Sequence, residues 1–332
     1  FWGFAVKFQM WMVRWAFRKE PTELMAFYRK TMYAKYDHFG LASLLPPPKN
    51  MGKPPPGLVY VARTCKGNGE RLTAHQPSKL EQGQPGQGET CIIVDPDVRY
   101  QTVVGFGGAF TETSAELLTQ MGSANQERII DAYFRQDLGI GYNIGRLHMN
   151  SCDFSRGDWS CVEENDKELK TFNIKRYQEA MLPMLQRAVK ALGKNMTLFA
   201  SPWSPPGWMK DTGKMLDGGR LKEDCREAWA KFYVRFAEKL EEAGFPLWGF
   251  TVQNEPDAAN GWENCIFNAE EERDFIRDHL GPTIEKSGRD LKILAWDHNR
   301  DDLFRRAHAI EKDEEAAKYV YGYGWHWYGD AR

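Results

Sequence analysis

A chain of 332 residues, 42% hydrophobic and 27% charged, can bury a large core in one big domain or two small ones. The formal net charge of −2 leaves no basic surface for nucleic acid and no acidic tail, so nucleic acid is excluded as an expected partner. The six cysteines show no C-x-x-C spacing, which excludes a zinc ribbon and a thioredoxin-type motif.

The first 57 residues are predicted to be a leader and linker of unassigned role. Lys7 and Arg14 interrupt the aromatic run at the start of the chain, so this run fits neither a transmembrane helix nor the apolar core of a signal peptide. Proline triplets at 46–48 and 54–56 predict a stiff, extended linker. We therefore place a domain boundary after residue 57.

Residues 58–100 are predicted to form a small β side domain. Two apolar runs, 58–62 and 91–94, enclose a stretch rich in Gly, Gln and Pro over 82–88, which favours a hairpin between them.

Residues 101–332 alternate between strand and helix patterns, which predicts a doubly wound parallel sheet or most of an eight-stranded barrel. A capping box at Ser123 and Gln126 begins one predicted helix, and Gly244 ends a second. Asn268 with Glu271 begins a third, which Gly281-Pro282 should stop. The predicted strands end near Gly105, Met149, Trp203, Glu255, Asp297 and Tyr328.

Two phosphate-binding motifs are incomplete, so we expect no nucleotide cofactor. The turn Gly105–Phe110 lacks the third glycine of G-x-G-x-x-G, and Met215 follows Gly213-Lys214 where a P-loop needs a hydroxyl. We expect no other cofactor.

Glu255 stands where an apolar run over 247–252 ends, and Pro256 follows it. Parallel sheets place active sites at the carboxyl ends of their strands, so Glu255 is either a catalytic acid or a cap on the next element. Other strand ends carry Asp153, Trp203 and Asp297, together with HWY at 326–328. Acids that bind hydroxyls and aromatic rings that stack on sugar faces predict a carbohydrate pocket.

The same residues allow a metal site, because His148, His298 and His326 could reach an ion together with Asp297. No compact ligand spacing joins them. We therefore expect each to be a hydrogen-bonded pocket or core histidine, and predict no metal.

Six motifs in matching order resemble the glucosylceramidase family, glycoside hydrolase family 30, from about residue 58 to 332. They are GFGGAFTE at 105–112, GYNI at 141–144, SCDFS at 151–155, ASPWSPPGWMK at 200–210, NEP at 254–256 and HWY at 326–328. The resemblance implies a retaining glycosidase on a (β/α)₈ barrel with a β-sandwich side domain. It makes Glu255 the acid/base and Asn254 a hydrogen-bond partner of the sugar 2-hydroxyl and the nucleophile.

The resemblance also implies that Asp153 and Trp203 bind glucosyl hydroxyls, that Tyr328 lines the pocket and that Trp262 lies at its mouth. The family's nucleophile belongs to strand seven, whereas HWY belongs to strand six. We therefore expect an incomplete barrel of about six strands, inactive as this chain alone. None of Asp153, Asp297 or Asp330 fits the missing role, since retaining chemistry needs two carboxyl groups about 5–5.5 Å apart.

The expected substrate is glucosylceramide or a similar β-glucoside. The same framework would serve a β-1,6-glucanase or a β-xylosidase, and a chain without a nucleophile would serve as an inactive sugar-binding fragment. A lipid substrate leaves room for a membrane-surface or lipid-presenting partner, and the family implies a secreted or lysosomal location. The sequence does not determine the oligomeric state.

Overall fold

The computed structural model describes residues 57–328 except 85, 87 and 96. The predicted leader, its proline triplets and Asp330 lie outside these residues, and the division at residues 57 and 100 stays a prediction. Within the described part of the chain, no helix is both long enough and apolar enough to cross a bilayer.

The N-terminal strands form two small antiparallel sheets. Strand β1 (Leu58–Val59) pairs with β4 (Ser78–Lys79), and β2 (Ala62–Cys65) pairs with β3 (Glu70–Ala74). The predicted hairpin between 58–62 and 91–94 is wrong, since Ile92 and Ile93 lie in no strand and are 89% and 93% exposed. The turn that closes β2 and β3 instead uses Gly69, whose φ of 75° suits a residue without a Cβ.

The rest of the described chain is built on one six-stranded parallel sheet in the order β10-β9-β8-β7-β6-β5. Successive strands are neighbours, as they are in a (β/α)₈ barrel rather than in a doubly wound sheet. The strands are β5 (Gly107–Phe110), β6 (Ile144–Met149), β7 (Thr197–Pro202), β8 (Gly249–Thr251), β9 (Lys292–Asn299) and β10 (Val320–His326).

The first sheet strand begins after Gly105 instead of ending there. A Cβ at Gly107 would overlap the carbonyl oxygen of Ile144, so the glycine allows β5 to approach β6 closely. The glycine-rich stretch is therefore part of the strand itself. This position explains it without a bound phosphate.

The helices lie between the strands in sequence. They are α1 (Glu112–Gln120), α2 (Ser123–Phe134), α3 (Lys175–Glu179), α4 (Met181–Leu192), α5 (Arg226–Glu242), α6 (Ala269–Phe275), α7 (Gly281–Lys286), α8 (Leu303–Glu311) and α9 (Glu314–Ala317). Short 3₁₀ turns cover Gly207–Met209, Glu223–Cys225 and Arg300–Asp302.

The predicted helix ends are right in part. Asn268 and Glu271 form the predicted capping box, and Gly244 takes the left-handed conformation after α5 with a φ of 90°. The predicted cap at Ser123 is wrong, because Gly122 is the N-cap residue and the Gln126 amide donates to the Met121 carbonyl.

Gly281-Pro282 does not end the helix that starts after Asn268. A π-helical turn over Ile276–Leu280 carries the chain from α6 into α7, where the proline occupies the first turn. A proline there loses no intrahelical hydrogen bond, since the first N–H groups of a helix have no partner within it. The chain therefore continues to Lys286.

Many of the aromatic residues in the described part of the chain belong to the core. The Phe232 ring lies 4.8 Å from both Phe172 and Trp229, and Tyr233 lies 5.1 Å from Phe250 on β8. Each is buried. This packing of α5 against the sheet holds the carboxyl end of β8 in place, and Glu255 follows that strand.

We expect Gly107→Ala to destabilise the fold strongly, because the new methyl group meets backbone that has no room to move. The cost should be about 2 kcal/mol or more, while Gly261→Ala, in a loop, should stay within about 0.5 kcal/mol. The control adds a methyl group at a position with nothing within 4 Å. Urea unfolding of both variants measures the difference, and equal midpoints would contradict the tight β5–β6 contact.

Candidate active site

A fully buried ion pair lies at the carboxyl end of the sheet. Arg146 on β6 and Asp297 on β9 expose 1% and 0% of their side chains, and Nη2 of the arginine donates to Oδ2 at 2.8 Å. Arg146 also donates to Ser201 Oγ at 2.9 Å, and its guanidinium lies 4.5 Å from the centre of the Trp203 ring.

Asp297 is held as a carboxylate. Burial alone would raise its pKa, but Arg146, His326 and Thr251 outweigh burial and lower the pKa to about 2. Thr251 Oγ1 donates to Oδ2 at 2.6 Å, and His326 Nε2 lies 2.9 Å from Oδ1. Both oxygens accept hydrogen bonds and 0% of the side chain is exposed, so Asp297 presents no oxygen to a sugar.

His326 connects this ion pair to Glu255. Its Nδ1 lies 3.0 Å from Glu255 Oε1 and 2.8 Å from the Tyr328 hydroxyl. Burial lowers the pKa of His326, but hydrogen bonds to Asp297 and Glu255 outweigh it and raise the pKa above the usual value. The imidazole ring therefore places a proton-carrying group directly against the carboxyl group of Glu255.

The backbone at this edge of the sheet is strained at three residues. Glu255, Trp296 and Asp297 have φ values of 48°, 73° and 33°, a region that side chains with a Cβ rarely adopt. The Glu255 N–H donates to the Asp297 carbonyl at 3.0 Å. This bond fixes the two carboxyl-bearing residues relative to each other.

Asn254 and Trp203 complete the group around Arg146. Oδ1 of Asn254 accepts a hydrogen bond from Arg146 Nη2 at 2.8 Å. A guanidinium only donates, so the amide oxygen must face it and the NH₂ group must face the other way. Trp203 is 4% exposed, and its carbonyl accepts from the Gln253 side chain at 2.7 Å.

A second buried pair of charged side chains contacts the strained end of β9. Glu272 on α6 and Arg306 on α8 are both fully buried, with Oε2 and Nη1 3.6 Å apart. Glu272 Oε1 accepts from the Trp296 N–H at 2.9 Å, and the Arg306 guanidinium lies 4.6 Å from the centre of the Trp296 ring. Burial outweighs Arg306 and raises the pKa of Glu272 to about 7. Sequence reasoning missed this pair, because nothing near either residue marks it as buried.

The loops after β5 and β6 are fixed by a separate cluster. Glu112 accepts hydrogen bonds from Trp159 Nε1 at 2.9 Å and from Arg176 Nε at 2.7 Å. Glu112 is thus a structural residue that joins these loops. Asp153 lies in the same loop after β6, and Trp262 is 38% exposed in the loop after β8. Their roles in binding sugar and aglycone stay predictions.

The four residues of the metal alternative do not form one group: His326 contacts Asp297 at 2.9 Å, whereas His148 contacts Glu112 and Asn150. His148 accepts from the Glu112 N–H at 3.2 Å, and its Nδ1 contacts the Asn150 carbonyl. Burial lowers the pKa of His148 to about 4, so it stays neutral. Among the described residues, one group of three could hold an ion: Glu255, His298 and His326 have ligand atoms within 4.8 Å of one another.

Comparison with known proteins agrees with this geometry. The glycosyl hydrolase family 30 TIM-barrel domain matches residues 103–332. Lysosomal acid glucosylceramidase of Mus musculus is 35% identical over 249 residues, which cover 72% of this chain and 48% of that protein. The chain spans about half the length of the curated relatives it matches.

Two solved structures share the fold. SrfJ from Salmonella typhimurium superposes with a TM-score of 0.75 at 29% identity, over 82% of this chain and 60% of that one. The endo-β-1,6-glucanase BT3312 superposes with a TM-score of 0.67 at 27% identity, over 71% and 54%. The prediction of an incomplete TIM barrel with N-terminal β strands is confirmed.

The stability of Glu272→Gln relative to the wild type should rise between pH 4.5 and about 7. The pKa of Glu272 is about 4.5 in the unfolded chain and about 7 in the folded protein. Between these pH values the folded protein binds more protons than the unfolded chain, so the free energy of unfolding falls as pH rises. Above about pH 7 this loss is constant. An amide does not titrate, so the free energy of unfolding of the variant should rise relative to that of the wild type by about 3 kcal/mol over that interval. Thermal unfolding at several pH values measures it.

The matched control is Glu270→Gln on the same helix, which replaces an exposed carboxylate. Its difference from the wild type should be nearly independent of pH. If the difference for Glu272→Gln were equally flat, the carboxyl group would not be held in its neutral form.

Proposed function

This chain belongs to glycoside hydrolase family 30, and from that membership we propose that it carries the acid/base half of the active site of a retaining β-glucosidase of glucosylceramidase type. The proposed reaction is hydrolysis of glucosylceramide to glucose and ceramide by double displacement. The observation that supports it is the position of Glu255, at the end of the fourth barrel strand and in contact with His326.

In the proposed mechanism Glu255 first donates a proton to the glycosidic oxygen as the aglycone leaves. It then removes a proton from the water that hydrolyses the glycosyl-enzyme. His326 and the Glu255 N–H contact to Asp297 hold the carboxyl group in place for both steps. General acid catalysis of this kind contributes about 10²–10⁴-fold to rate.

The nucleophile is a second carboxylate, which the family resemblance assigns to the seventh barrel strand. Asp297 is unsuitable because its side chain is fully buried beside Arg146 and exposes no oxygen to a substrate. Asn254 is proposed to donate from its NH₂ group to the sugar 2-hydroxyl, which is consistent with Arg146 binding its oxygen.

Asp153 and Trp203 are proposed to bind the glucosyl ring, Tyr328 to line the pocket and Trp262 to contact the aglycone. The partly exposed indole of Trp262 offers apolar surface to a ceramide chain. A membrane-surface or lipid-presenting partner fits such a substrate. A lysosomal or secreted location is proposed from the named mouse relative.

A β-1,6-glucanase is the second candidate, because one structure with the same fold carries that name. The two functions differ beyond the glycosidic oxygen. A β-1,6-glucan presents hydroxyl groups there, whereas glucosylceramide presents hydrocarbon. Products released by the full-length protein from glucosylceramide, β-1,6-glucan and an aryl β-xyloside distinguish these alternatives.

In the full-length protein, Glu255→Ala should lower turnover of substrates with poor leaving groups by about 10²–10⁴-fold. Glucosides with very acidic leaving groups need no proton donor, so their glycosylation step should be nearly unaffected. Azide should then increase turnover by attacking the glycosyl-enzyme in place of activated water. Burst kinetics with and without azide measure both effects.

The control for this variant is Glu163→Ala, which removes an exposed loop carboxylate and should behave as the wild type. If Glu255→Ala slowed good and poor leaving groups equally and azide had no effect, Glu255 would not be the acid/base.

Asp153→Ala and Trp262→Ala should separate sugar binding from aglycone binding. Loss of hydrogen bonds to a charged group costs about 1.5–3 kcal/mol, so Asp153→Ala should impair aryl glucosides and glucosylceramide alike. Trp262→Ala should impair mainly the lipid substrate, at roughly 25 cal/mol per Å² of lost apolar contact. Values of kcat/KM for both substrates test this, and an equal defect of Trp262→Ala on the aryl glucoside would overturn its assignment.

A further inference from the structure

Two imidazole rings and one carboxyl group converge beside the proposed acid/base. Ligand atoms of Glu255, His298 and His326 lie within 4.8 Å of one another. Two histidines with one glutamate are a common ligand set for zinc, and imidazole selects transition metals over Mg²⁺ and Ca²⁺. We propose that these three residues bind a divalent transition-metal ion such as Zn²⁺, which reversibly inhibits the enzyme by occupying the carboxyl group of Glu255.

His326 is already oriented as a metal-bound histidine is. Its Nε2 lies 2.9 Å from the Asp297 carboxylate, and its Nδ1 faces Glu255. A carboxylate that accepts from one ring nitrogen fixes the tautomer and the orientation of the ring and makes the other nitrogen a stronger ligand. Arg146 and Thr251 donate hydrogen bonds to Asp297 and so fix the carboxylate that orients the His326 ring.

His298 contributes a second ring at the same place. The centres of the His298 and His326 rings are 6.1 Å apart, with the planes near perpendicular. Nδ1 of His298 is buried and has no hydrogen-bond partner among the described residues. Burying a polar nitrogen without a hydrogen-bond partner lowers the stability of the folded protein. Metal coordination by this ring would offset part of that loss.

The distances require only a small contraction. Two ligands on one tetrahedral zinc ion lie about 3.3 Å apart when each bond is about 2.0–2.1 Å. Nδ1 of His326 and Oε1 of Glu255 are already 3.0 Å apart. The third ligand atom must approach by at most about 1.5 Å, the excess of the 4.8 Å limit over that separation. The ion would take the place that a proton has between these two atoms.

The site is open enough for an ion to enter. Glu255 keeps 11% of its side chain exposed, and His298 is partly exposed. Inhibition follows from the proposed function and rests on it, since a carboxylate bound to an ion cannot carry a proton to the glycosidic oxygen. Metal binding itself does not depend on that function.

Calorimetric titration of the metal-free, full-length protein with ZnCl₂ tests the site. We expect one ion per chain, and a Kd at least about 10–100-fold weaker in His298→Asn, since loss of even an outer-shell partner costs that much. His308→Asn removes an exposed imidazole on α8 and should bind as the wild type does. His298→Gln repeats the test if the asparagine variant unfolds. The absence of binding, or equal Kd values for wild type and His298→Asn, would overturn the site.

Hydrolysis of an aryl β-glucoside tests the inhibition. Zn²⁺ should inhibit the wild type and EDTA should restore it, while His298→Asn should need at least about tenfold more Zn²⁺ for the same loss. Full activity at saturating Zn²⁺ would overturn the inhibition. An absence of hydrolysis even with EDTA would instead contradict the proposed function, and the calorimetry would still decide the metal site.

Discussion

The buried Arg146–Asp297 ion pair is the contact on which the rest of the site depends. Two charges without water are stable only where hydrogen bonds satisfy them, and here Ser201, Thr251 and His326 do so. Removing one partner of such a pair costs about 3–5 kcal/mol, because the remaining charge is left uncompensated. The pair joins β6 to β9 and so fixes the edge of the sheet from which the proposed acid/base projects.

The strained backbone at the ends of β8 and β9 links the buried ion pair to Glu255, the proposed acid/base. Left-handed conformations at Glu255, Trp296 and Asp297 cost of order 1–3 kcal/mol each and persist only where the surroundings impose them. The carboxyl group of Glu272 binds the Trp296 N–H, and the ring of Trp296 packs on Arg306. Two helices outside the sheet thereby hold the strand end in a shape it would not otherwise keep.

His326 belongs both to the proposed acid/base site and to the proposed metal site. The ring lies between two carboxyl groups, with Nδ1 facing Glu255 and Nε2 facing Asp297. The ring nitrogen that faces Glu255 is also the one that the proposed metal ion would bind. The proposed general acid is open to the proposed inhibition because a second imidazole, that of His298, offers a ligand atom within 4.8 Å of it.

The sequence alone determined what depends on local pattern: the six parallel strands, the capping box at Asn268 and Glu271, and the place of Glu255 at a strand end. The motifs added the family and the incomplete barrel. The sequence did not determine strand pairing near the N-terminus or the helix that runs through Gly281, because both depend on packing. The contacts within the site were even less predictable, because they join residues that are far apart in the sequence. His326 and Glu255 are 71 residues apart and Arg146 and Asp297 are 151 apart, so only the assembled parallel sheet brings them together. Burial in that sheet then decides their charges.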